Sequence, residues 1–92
     1  MITKSISLQL TNAESDKVYH LQIISSHDGT YMVQSQYGKR GKNIRWFTLT
    51  PNPVSKWTAE KVFNDKVAKE KAKGYWEIPV PIELITEIAL SL

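Results

Sequence analysis

The chain has no cysteine, so it can build neither a disulfide framework nor a thiolate metal site. Its only histidines are His20 and His27. His20 lies in an alternating run with no carboxylate at a useful spacing. His27 and Asp28 fall in a turn, where an Asp-Gly step has its own structural reason. Nothing pairs a nucleophile with a base and an orienting group, so the sequence implies no metal, no cofactor and no enzyme. No apolar run approaches the roughly 18 residues of a membrane span, and residues 1–5 do not open a signal peptide. These absences predict a soluble, cytoplasmic protein without a membrane partner.

What is present fits one domain spanning residues 1–92. With 41% hydrophobic and 23% charged residues, the composition is that of an ordinary folded protein. A chain of this size buries roughly 60–70% of its unfolded surface, enough for one modest core. Residues 2–10 alternate, with Ile2, Lys4, Ile6, Leu8 and Leu10 on one side and Thr3, Ser5, Ser7 and Gln9 on the other. This pattern predicts a half-buried strand with a polar second face. Residues 11–16 are a polar loop, and residues 17–25 form a second strand with Tyr19, Leu21 and Ile23 on its apolar side. Asp28-Gly29 favours a hairpin into a third strand over residues 30–37.

A fourth strand is expected over residues 44–50, ended by Pro51 and Pro53, which cannot sit in a paired strand. Ser55 or Thr58 can cap a helix running to about Lys73. Its apolar stripe is Ala59, Val62, Phe63 and Val67, with Lys61, Lys66, Lys69 and Lys73 on the flanks and opposite face. Gly74 is the expected residue after the cap. Residues 75–78 resume an extended path. Residues 79–92 form an extension in which 82–92 fit a helix better than a strand. The expected fold is α+β: an antiparallel sheet of four to five strands with one main helix packed on it. Trp46, Trp57 and Trp76 are expected to pack at the edge of its core.

The chemistry concentrates at Tyr37-Gly38-Lys39-Arg40-Gly41-Lys42, where an aromatic precedes three cations and two glycines. An aromatic beside cations can stack on a sugar or base while pairing with phosphate. The spacing excludes a P-loop, since Gly38 and Gly41 are too close and Asn43 follows Lys42. Charge supports an anionic partner. Residues 39–73 hold ten cations against three anions, net +7, whereas the rest of the chain carries −4.

Taken in order, Lys17-Val18-Tyr19-His20-Leu21-Gln22-Ile23, then Tyr37-Gly38-Lys39-Arg40-Gly41, then Ala59…Phe63…Lys66 and Lys73-Gly74-Tyr75-Trp76, resemble the WGR domain over about residues 4–78. WGR domains occur in DNA-damage-responsive poly(ADP-ribose) polymerases and in bacterial proteins resembling the molybdate-metabolism regulator. The resemblance implies a module that binds DNA ends or nicks through sugar and phosphate, with no catalysis of its own. Tyr37 stands where the family has its tryptophan, Lys39 where it has its arginine, and Arg40 where it has a hydrophobic residue. Asp16-Lys17 takes the place of an Asn-Lys pair that touches phosphate, and Asp16 is expected to repel phosphate there. A tyrosine still stacks, whereas lysine keeps the charge without the planar fork. The expected DNA-binding residues are Lys17, Tyr37, Gly38, Lys39, Arg40, Lys42 and Arg45. The alternative is a protein-interaction module that docks a partner chain with the same surface.

Overall fold

The computed structural model describes residues 1–42 and 46–81. Its long strands follow the alternation of the sequence. β1 (Ile2–Thr11) and β2 (Asp16–Ser25) pair antiparallel, with Ser7 opposite His20 and Leu8 opposite Tyr19. The loop between them closes on Asn12, whose side-chain oxygen accepts from the backbone N–H groups of Glu14 (2.8 Å) and Ser15 (2.9 Å). Asn favours such turns because its side chain imitates a backbone carbonyl.

β3 (Tyr31–Lys39) follows a connection in which Asp28 Oδ1 accepts from Thr30 N (3.1 Å) and Thr30 Oγ1 (2.6 Å). Those bonds hold the Asp28 carboxyl below the usual carboxylate range. Gly29 supplies the positive φ (+81°) that the turn requires. β4 (Trp46–Thr48) adds to the free side of β3. The two prolines end pairing as expected, but Val54 returns to exchange backbone bonds with Tyr31 at 2.8 and 2.9 Å.

α1 (Lys56–Ala72) begins at Ser55, whose hydroxyl accepts from Thr58 N at 3.2 Å. This settles the start of the helix on Ser55 rather than Thr58. The far end is a Schellman closure: Gly74 N–H donates to Lys71 O, and Tyr75 N–H donates to Glu70 O. Gly74 adopts φ +110°, a conformation suited to glycine. β5 (Trp76–Ile78) then pairs antiparallel with β1, giving the strand order β4-β3-β2-β1-β5. The expected helix over 82–92 and the first residues of the expected fourth strand lie outside the described residues.

One face of the sheet meets α1. Leu8, Tyr19, Leu21, Ile23 and Val33 from the strands bury against Ala59 and Phe63 of the helix, with Tyr75 closing the end. Burying such side chains supplies roughly 1.5–3 kcal/mol each and is the main stabilising term. Two expectations fail at tryptophans. Trp57 is 72% exposed and Trp76 is 45% exposed, so neither packs the core edge. Trp57 lies two residues after the N-cap and outside the stripe of Ala59 and Phe63, so the helix turns it toward solvent.

Candidate nucleic-acid interface

The expected basic turn is partly strand. β3 continues through Gly38 and Lys39, because β2 offers partners as far as Lys17: Tyr19 opposes Tyr37, Val18 opposes Gly38, and Lys17 opposes Lys39. Among the described residues, Arg40, Gly41 and Lys42 form the turn, closed by Lys42 N–H donating to Lys39 O at 3.2 Å. The register sets two exposed lysines side by side on the helix-bearing face. Among the described residues neither Lys17 nor Lys39 makes an ion pair. Like charges directly opposite one another destabilise a sheet.

Tyr37 sits one row inward. Its ring stacks on Tyr19 (centroids 5.3 Å apart, planes at 13°) and is tilted against Phe47 at 6.0 Å. Tyr19 is buried, so it fixes the Tyr37 ring from below while 52% of Tyr37 stays open. The result is a rigid, half-exposed aromatic plate beside two cations.

Past that plate the sheet-facing stripe of α1 changes character. Ala59 and Phe63 lead at helical spacing to Lys66, Glu70 and Lys73, so the same face turns from apolar to charged. Glu70 is only 3% exposed, and its Oε1 lies 3.2 Å from both Lys66 Nζ and Lys73 Nζ. Lys66 Nζ also stands 5.5 Å above the Tyr19 ring. Burial disfavours the Lys66 ammonium, but its bond to Glu70 and the charges and hydroxyl of Glu70 and Tyr19 together outweigh this, and its pKa ends above the ordinary value. Burial, reinforced by Glu70, pushes the Tyr75 phenol up as well.

These groups line a groove of about 370 Å³ formed by Lys17, Tyr19, Tyr37, Gly38 and Tyr75 with Leu10 and the helix trio. One buried carboxylate among three lysines leaves the groove cationic. A second recess, also about 370 Å³, lies at the sheet end between residues 12–17 and Lys39, Arg40 and Lys42. Lys17 lines both.

The structure therefore brings Lys17, Tyr37 and Gly38 into the groove, and Lys39, Arg40 and Lys42 into the second recess. Arg45 lies outside the described residues. Arg40 is not a free guanidinium: its Nη2 lies 2.9 Å from Asp16 Oδ2, its Nε donates to the same oxygen at 3.1 Å, and its backbone N–H donates to Asp16 O at 3.0 Å. Asp16, expected to repel phosphate, has its carboxylate held by Arg40 and Thr11. Lys66 and Lys73, expected on the flanks and outer face of α1, reach the groove with Tyr19, Glu70 and Tyr75. A signal for them existed in the sequence: 63, 66, 70 and 73 continue one helical stripe.

Among the described residues no three His, Asp or Glu side chains gather as a metal site needs, and no helix is long and apolar enough to cross a membrane. No protein-family model matches the chain, and neither a curated protein nor a solved structure matches it.

Proposed function

We propose that this chain is a non-catalytic nucleic-acid-binding module of the cytoplasm. It takes DNA ends or nicks through sugar and phosphate, without reading sequence. The observation that carries this reading is the Lys17–Lys39 pair, directly opposed and lacking ion partners among the described residues, beside the half-exposed Tyr37 ring. An unstacked terminal nucleotide offers both a π face for Tyr37 and phosphates for the lysines. The WGR resemblance supports the same reading, with Tyr37 and Lys39 in the places of the family's tryptophan and arginine. Sequence readout is not expected, because phosphate contacts position a duplex whereas base edges specify it.

Tyr37→Ala tests the stacking role. It removes the plate while leaving the lysines, so binding to nicked and 5′-phosphorylated ends should fall toward that of intact duplex. Stacking is worth about 1–3 kcal/mol per base. Equal losses on ends and on intact duplex would remove Tyr37 from end recognition.

The Tyr37–Phe47 pair favours a second reading. Two neighbouring exposed aromatics beside cations would also suit an acidic protein segment. Competition separates the two: nicked duplex displaces a nucleic-acid ligand and leaves a protein partner of this surface untouched.

A further inference from the structure

The groove has two walls. The sheet side carries Lys17 and Tyr37, and the helix side carries Lys66, Glu70 and Lys73. The helix wall is organised around Glu70, which is 3% exposed and meets both lysines on one oxygen, Oε1, at 3.2 Å. Lys66 is held a second time, because its Nζ stands 5.5 Å from the centre of the Tyr19 ring. A lysine on a solvated helix face samples many rotamers, and a ligand that orders it loses that entropy. Here a buried carboxylate orders the pair within the protein itself. One lysine alone would be neutralised by Glu70. The second is surplus charge, and Lys17 on the facing strand adds to it.

Size limits what can enter. At about 370 Å³ the groove stands near the lower end of small-ligand sites, which run from roughly 300 to 1,000 Å³. The sheet bounds it on one side and α1 on the other. It therefore has room for one nucleotide and not for that nucleotide together with its pairing partner.

We propose that the groove takes a single unpaired nucleotide at the end of a strand. Its base lies on Tyr37, and its phosphates lie between Lys17 and the Lys66–Lys73 pair, which Glu70 positions. The inference rests on the nucleic-acid reading and narrows the ligand from strand ends in general to ends with an unpaired nucleotide. A flush end must first open its terminal pair, whereas an overhang presents the nucleotide without that cost. Stacking accepts any base, so the selection is for the unpaired state and not for sequence.

The test titrates the full chain against one labelled duplex with a blunt end or with overhangs of one and three nucleotides, in both polarities. A one-nucleotide overhang of one polarity should bind at least about tenfold more tightly than the blunt duplex. Two further nucleotides should add less than the first did. Lys66→Gln/Lys73→Gln should bring overhang and blunt affinities to within about twofold of each other, since glutamine still donates to Glu70 but carries no charge for phosphate. Lys69→Gln/Lys71→Gln removes the same charge outside the groove lining and should keep the preference. Equal affinity for blunt and overhanging ends, an affinity that climbs evenly with overhang length, or a preference that survives Lys66→Gln/Lys73→Gln would overturn the inference and leave the nucleic-acid reading standing. No binding to any of these duplexes would overturn both. The wild-type comparison decides alone should the groove variant not fold.

Discussion

The opposed lysines make a prediction with an unusual sign: Lys39→Glu should stabilise the fold and weaken the ligand. Lys17 and Lys39 face each other across β2 and β3 with no anion among the described residues to separate them. Both are exposed, so their repulsion is screened, and a cross-strand pair of this kind is worth a few tenths of a kcal/mol. Replacing repulsion with attraction should therefore add about 0.5 kcal/mol, or roughly 2–4 °C in Tm for a domain this small. Binding should move the other way. Removing one phosphate contact lowers the slope of log K against log salt by about 0.9, and the new charge repels the backbone. A loss of about tenfold in affinity, or 1.4 kcal/mol, is expected. Thermal unfolding at low and high salt, paired with anisotropy titrations, reads both effects. Lys39→Gln should fall between wild type and Lys39→Glu in each assay. A Lys39→Glu protein that melts lower, or binds DNA as tightly as wild type, would refute the reasoning.

The remaining predictions use other parts of the molecule. Asp16→Asn frees the Arg40 guanidinium from its partner and should tighten DNA binding several-fold, at a stability cost below about 1 kcal/mol because the pair is exposed; weaker binding in titrations would show that Asp16 positions the site. His20 is held neutral by burial, with its pKa below the ordinary 6.5. The unfolded chain then binds the extra proton first, so stability should rise with pH between the folded pKa and 6.5 and fall on acidification. His20→Gln should flatten that part of the urea-unfolding profile, and an unchanged profile would assign the dependence elsewhere. Gly74→Ala forces φ +110° on an alanine whose Cβ would meet Leu10 Cδ1 at 3.3 Å. It should cost about 1–3 kcal/mol in chemical unfolding, and a neutral result would mean the Schellman turn relaxes freely.

Much of the fold was legible because strand and helix periods are local. The alternation of residues 2–10 and 17–25 fixed which side of each strand faces α1, and Ala59 and Phe63 marked the buried stripe. Ser55 and Gly74 bounded the helix for reasons carried by single side chains. The site was harder to read. That Lys39 is strand rather than turn depends on where β2 starts, a pairing between residues more than twenty apart. Glu70 reads as an ordinary solvated helix position until the C-terminal half of α1 is laid over Tyr19, where burial and two lysines change its meaning. Asp16 reads as a repulsive charge until Arg40 folds back onto it. Trp57 reads as core because tryptophan usually is, yet its helical phase turns it outward.

The most direct test of the central claim is fluorescence anisotropy with labelled intact, nicked and 5′-phosphorylated-end duplexes at about 50 and 200 mM salt. If four or five phosphates are neutralised, log K against log salt should have a slope of roughly −4, with nicked and phosphorylated ends bound more tightly than intact duplex. No binding to any duplex at the lower salt would contradict the claim and leave the groove to a protein partner.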